Sequence, residues 1–372
     1  MGGINGVETV VYGVEDVELC TRYFSDFGLP LLTQSEAETV FEMEEGSTVV
    51  LRELADAVVP GQKLVGFGVQ QVIWGVPDQK HFDRAVARLE KGTAVSVDAD
   101  GTARFLDCDG IAMGIRIYNK TLVWGAPDPV NSFANINRIN THRKWRLRAR
   151  PKTIQHVVFQ VPDPQASYEW YQAYLDFRLS DIQEGFGVFA RAPGTNDHHS
   201  IYWLRADLPF PGLDGKTRFN HVNYGVEDID EVMVGANYME RRGWEKSVWG
   251  LGRHRIASSV FMYLPCPAGG DAEYGTDSDA LDDSWVPRRW LATFGTMSFM
   301  HNLQPWILDE QPWDVGYVEG STPAMKPRGG PPPSAIPEPT SQAGLAEAAG
   351  AIRAAPHTEG YHAKVSETTP GE

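Results

Sequence analysis

The chain has 372 residues, 42% hydrophobic and 11% aromatic, with a formal net charge of −16 at pH 7. That length and apolar content suit two packed domains and a tail, and the acidic excess argues against partners held by a general basic field, such as nucleic acid or anionic membranes. Three widely spaced cysteines (Cys20, Cys108, Cys266) suggest neither a disulfide framework nor a zinc cluster and read as free thiols. The N-terminus lacks a basic region followed by an apolar core, and no apolar run approaches the ~20 residues that span a bilayer, so a soluble cytoplasmic protein is expected.

In chain order, one pattern recurs four times: an apolar strand ending in a Val-Pro/Glu-Asp turn. The copies are Thr9 to Asp16 (TVVYGVED), Gln71 to Asp78 (QVIWGVPD), His156 to Asp163 (HVVFQVPD) and His221 to Asp228 (HVNYGVED). Each terminal aspartate is placed to cap a following helix. Helical spacing follows in Phe82, Ala85, Val86 and Leu89, in Tyr168, Tyr171, Tyr174 and Leu175, and in Ile229, Val232, Met233 and Ala236. Strand-rich sequence comes after each helix, so the unit reads strand, helix, then about three strands. Between the second and third units, the basic run Thr141 to Lys152 reads as a solvated linker.

Aligning the units exposes an asymmetry. Their first positions hold Thr9, Gln71, His156 and His221. Four residues beyond a later turn glycine stand Val50, Gly114, His198 and Glu273. Ligand-type residues thus fall in the last two units and inert ones in the first two. The densest stretch is Gly252 to Gly275: His254, a strand-like run Ile256 to Leu264 with Tyr263, a Pro/Gly turn (Pro265, Pro267, Gly269, Gly270), then Glu273 on a returning strand.

Gly-x-His, seven residues, Met-Tyr, Pro-x-Gly and Glu resemble the signature of type I extradiol ring-cleavage dioxygenases of the vicinal oxygen chelate superfamily. Cys266 departs from the small polar or acidic residue usual before Pro267. The Trp-x-Pro-x-x-Trp of Ser284 to Trp290 resembles the stretch that succeeds the module in that family. The resemblance implies an α+β fold of four βαβββ units, paired into two modules that are each a curved mixed sheet. The expected boundaries are residues 1–145 for a module without a metal site, 146–290 for the catalytic module, and 291–372 for an extension that is largely disordered from about 320.

His156, His221 and Glu273 form a two-histidine, one-carboxylate set of the kind that leaves open positions on Fe(II), with Mn(II) as the other candidate. The resemblance implies that a catecholic substrate chelates the metal and that O2 takes the remaining position. It gives acid–base roles to His198, Tyr263 and His254. His199 adjoins His198, and only one of the two can face the site if both lie on a strand; the glycine count favours His198. His81, His142, His301, His357 and His362 read as ordinary structural or surface residues. Two other readings keep the fold: a glyoxalase-like isomerase or transferase using Zn²⁺, Ni²⁺ or Mn²⁺, and a metal-free aromatic-binding module of the bleomycin-resistance kind. The long segment Arg205 to Phe219 and the tryptophans point to a bicyclic phenol such as a flavonoid or biphenyl diol, and a homo-oligomer is expected.

Overall fold

Each of the four expected capping aspartates does cap a helix. Asp16 accepts from the Leu19 N–H, Asp78 from His81, Asp163 from Gln165 and Ala166, and Asp228 from Glu231. The computed structural model describes residues 3–210, 213–304 and 315–318. The tail from about 320, expected to be disordered, lies outside the described residues.

The first two units are β1 (Gly6–Val14), α1 (Val17–Phe27), β2 (Leu31–Gln34), β3 (Thr39–Glu42), β4 (Thr48–Glu53) and the short α2 (Leu54–Ala57), then β5 (Gly68–Val76), α3 (Gln79–Leu89), β6 (Ser96–Val97), β7 (Ala103–Leu106) and β8 (Ala112–Ile117). They make one eight-stranded sheet in the order β2-β3-β4-β1-β5-β8-β7-β6. The next two are β9 (Thr153–Val161), α4 (Pro164–Leu175), β10 (Arg178–Glu184), β11 (Gly187–Arg191) and β12 (Ile201–Arg205), then β13 (Arg218–Gly225), α5 (Ile229–Arg241), β14 (Gly252–Arg253), β15 (Val260–Pro265) and β16 (Asp271–Thr276). In both sheets the long first strands of two units pair antiparallel at the centre, β1 with β5 and β9 with β13. Each also pairs parallel with the last strand of its own unit.

The second sheet runs past residue 290. β17 (Arg288–Leu291), α6 (Ala292–Thr296), β18 (Phe299–Met300) and β19 (Val315–Tyr317) extend it to the order β18-β14-β15-β16-β13-β9-β12-β11-β10-β17-β19. A boundary at 290 would cut through β17, because Arg288 to Leu291 pair with Asp181 to Glu184 of β10. Other corrections are local. Ile256–Ser258 is a single 3₁₀ turn with positive φ at Ala257 and Ser258, and the strand begins at Val260. On α5 the buried stripe is Val232, Ala236 and Met239, while Ile229 is exposed. The basic run is also less solvated than its composition suggests: Arg146 sits against Glu227 and Asp228, and Lys144 against Glu227.

One apolar core joins the two sheets. α1 packs against α5 and α3 against α4. Phe27 stacks on Tyr274 with ring centroids 4.0 Å apart, Trp74 meets Phe177 edge-on, and the Tyr12 and Tyr224 hydroxyls lie 3.2 Å apart. Along β9, alternate side chains divide the labour: Val157, Phe159 and Val161 enter this core, leaving His156, Val158 and Gln160 on the other face.

Candidate metal centre

His156, His221 and Glu273 come from three adjacent strands, and each is buried. The Nε2 atoms of His156 and His221 are 3.3 Å apart, and Glu273 Oε2 lies 3.4 Å from the first and 3.3 Å from the second. The turn before β16 brings this about. Gly270 has φ +57°, and a Cβ there would sit 1.9 Å from the Asn220 carbonyl oxygen, so only glycine lets the turn close beside His221.

His221 Nδ1 donates to Asn220 Oδ1 at 2.6 Å, which leaves its Nε2 lone pair facing the other two donors. Glu273 Oε2 is buried and meets no hydrogen-bond donor among the described residues. Burial pushes the Glu273 carboxyl up, but the two imidazoles beside it more than offset this and hold it below the usual range; burial pushes the His156 imidazole down. A buried anionic oxygen packed against two imidazole nitrogens suits a cation held between them. A metal about 2.1 Å from three donors at 90–110° spaces them about 3.0–3.4 Å apart, so these residues fit one.

The cavity above the donors has a volume of about 630 Å³. His254 and Tyr263 line it. His254 Nδ1 is bonded to the Thr296 carbonyl, which can only accept, so the proton is on Nδ1. His254 Nε2 then accepts from the Tyr263 hydroxyl at 3.2 Å. Burial pushes the His254 imidazole down and the Tyr263 phenol well up, so both are neutral.

His198 does not reach the cavity. Its Nε2 bonds Asp181 Oδ2 at 3.0 Å, and both side chains are buried away from the donors. His199 takes the position instead: it lines the cavity, with its ring centroid 4.0 Å from that of His156 and its Nδ1 3.1 Å from His198 Nδ1. Burial, reinforced by the neighbouring imidazoles, pushes the His199 imidazole well down. The glycine count failed because both histidines precede β12. Strand register gives the true equivalents: Val11 opposes Val50, Ile73 opposes Gly114, Val158 opposes Tyr202 and Asn223 opposes Glu273. The third unit's counterpart of Glu273 is therefore Tyr202, which stacks on Phe189 and donates to Gln183 Oε1.

In the first sheet the positions matching His156 and His221 are engaged locally. Thr9 Oγ1 bonds Glu8 and Thr48, while Gln71 donates to the Ala57 carbonyl and accepts from Arg104. Sequence reasoning missed Tyr202, Gln160 and Asn220. The alternation His156-Val158-Gln160 was the available signal for the second of these.

Paired βαβββ units that set two histidines and a carboxylate on one sheet face define the vicinal oxygen chelate fold. The model of the Glyoxalase/Bleomycin resistance protein/Dioxygenase superfamily matches residues 153–254 of the chain. It is similar to metapyrocatechase 2 of Cupriavidus necator, 29% identical over 178 residues covering 48% of this chain and 53% of that protein. It is also similar to an iron-dependent extradiol dioxygenase of Rhodococcus jostii (strain RHA1), 31% identical over 148 residues covering 36% and 47%. The chain thus spans about half the length of these curated relatives. Among solved structures, the Mn(II)-bound glyoxalase from Novosphingobium aromaticivorans superposes with a TM-score of 0.63 at 20% identity, covering 84% of this chain and 96% of that one.

Proposed function

We propose that the protein is an extradiol dioxygenase that adds both atoms of O2 to a catechol and opens the ring beside the diol. The observation that carries this reading is the joint presence around one cavity of His156, His221 and Glu273 with His199, His254 and Tyr263. A glyoxalase-like isomerase needs the three donors but gives no work to the His254–Tyr263 pair.

We assign Fe(II) to the three donors, since two histidines and a carboxylate with open positions suit iron in oxygen chemistry. When bound, the metal supplies a charge that favours the deprotonated diol and a place for O2. The protein supplies the rest. His254 Nε2, unprotonated and turned inward, is the acceptor for a proton released as the diol binds, with the Tyr263 hydroxyl between them or beside the ring oxygen. His199, neutral and dry on the opposite side, moves a proton at the oxygen-facing side of the ring. Phe189 and the Phe186–Phe210 pair keep water from the ring. Asn220 holds His221 in the tautomer that leaves Nε2 free.

A cavity of about 630 Å³ falls in the range that encloses drug-sized ligands and exceeds what one ring fills, which supports a bicyclic diol. We read the first sheet as carrying no metal, because Thr9 and Gln71 are already engaged. The test is anaerobic loading with Fe(II) or Mn(II), metal analysis, and mixing with a biphenyl diol in ¹⁸O2-labelled air. A yellow ring-cleavage product carrying two labelled oxygens is expected, with about one iron per chain. Isomerisation of a thiohemiacetal without oxygen uptake would favour the glyoxalase-like reading instead.

A further inference from the structure

Resting on that reading, we infer that Gln160 determines specificity by binding an uncharged oxygen function at the far end of the substrate from its diol. Gln160 follows His156 by four residues on β9 and shares its face, so its backbone stands about 13 Å along the strand from that of His156 and about 7 Å beyond Val158, the residue paired with His221. It is buried at 8% exposure, yet its Oε1 has no hydrogen-bond partner among the described residues. Leaving such a group unmet inside a protein is costly, and the cavity its side chain lines is where a partner can enter.

The surroundings select the partner. Across the sheet Gln160 is flanked by Leu204 on β12, and Phe186, Phe210 and Leu213 line the same cavity. Arg218, the β13 neighbour, turns to Asp214 and the Val65 carbonyl. No lysine or arginine is among the described residues lining the cavity, whereas Asp271 and Glu273 are. A carboxylate at the far end would find no countercharge. A hydroxyl would find the unmet Gln160 Oε1, whereas the cavity's other amides, Gln183 and Asn220, are already engaged with Tyr202 and His221. The substrate class is therefore a catechol with an apolar second ring or chain bearing a neutral oxygen substituent.

The test uses the iron-loaded full chain and four diols: 3-methylcatechol, 2,3-dihydroxybiphenyl, and the latter's 4′-hydroxy and 4′-carboxy derivatives. Anaerobic Kd values and aerobic kcat/KM values are compared for wild type and Gln160→Leu. Wild type should favour the 4′-hydroxy compound over the unsubstituted biphenyl by about tenfold, the worth of one uncharged hydrogen bond, and should bind the 4′-carboxy compound worst. In Gln160→Leu the hydroxyl preference should fall to near one; Gln160→Met gives the same comparison should the first variant not fold. A wild-type ratio near one, a preference for the carboxylate, or a ratio that survives in the variant overturns the inference. Failure to cleave any of the four diols instead overturns the dioxygenase reading, and the Kd ratios still decide the role of Gln160.

Discussion

At the scale of single residues, the adjacent histidines separate two kinds of loss. His199→Phe should retain the metal and bind a catechol, yet slow turnover by about 10²–10⁴-fold, since it removes acid–base help at the ring. His198→Phe should instead cost about 1–3 kcal/mol of stability, because it removes the partner of the buried Asp181 Oδ2 and leaves only the Arg288 N–H on Oδ1. Stopped-flow mixing with O2 and denaturant titration read the two effects apart; a stable His198→Phe protein that stalls on oxygen would reverse the assignment. His156→Ala, His221→Ala and Glu273→Ala should each lose iron while keeping a native circular dichroism spectrum, as the sheet hydrogen bonds do not run through these side chains. The grouping of His156, His221 and Glu273 was legible because the four units repeat one another, whereas His254 and Tyr263 were named only from the family signature of Gly252 to Gly275. The choice between His198 and His199 was not legible. It depends on how many residues precede Ile201 outside the sheet, and no periodicity governs that stretch.

At the scale of elements, the β7–β8 turn meets α4 through one buried carboxyl. Asp107 accepts from the Asp109 and Ile111 N–H groups and from the Tyr171 hydroxyl at 2.9 Å. Burial, with Asp109 adding to it, pushes its carboxyl up to about 7. The folded chain therefore holds this proton to a higher pH than the unfolded chain, whose aspartate titrates near 3.9. The group's contribution to stability is full below about pH 4 and declines as pH rises toward 7. Asp107→Asn, which keeps an acceptor for both N–H groups and reverses the bond to Tyr171 so that its Nδ2 donates to the hydroxyl oxygen, removes that slope. Its stability relative to wild type should improve by about 2–3 kcal/mol between pH 5 and pH 8 in urea unfolding. A constant difference across that range would mean that Asp107 is ionised in the fold. The four helices themselves were readable from their capping aspartates, but the contact between this turn and α4 was not, since it joins residues 64 apart through a tyrosine that helical spacing marks only as core.

At the scale of the whole molecule, the segment after Trp290 belongs to the site. Thr296 fixes the His254 proton, and Gly295 and Thr296 line the cavity. A chain ending at residue 290 should still bind the metal through its three donors but lose most of its turnover, an outcome that iron content and kcat measured together would check. The sequence could not reveal this, because the expected boundary at 290 follows the Trp-x-Pro-x-x-Trp stretch, while the parallel pairing of β17 with β10 involves residues 107 apart.

The shared aromatic core has a consequence for how the protein is made. Tyr12, Phe24, Phe27 and Trp74 emerge from the ribosome with the first sheet, yet their ring partners Tyr224, Tyr274 and Phe177 are encoded up to 247 residues later. At about 5–20 residues per second, an aromatic surface stands uncovered for about five seconds or more before its partner arrives. Slowing translation, or warming the cell, should therefore drive the newborn chain into inclusion bodies more readily than it harms the finished protein, and a holdase that shields aromatic surface should rescue the yield.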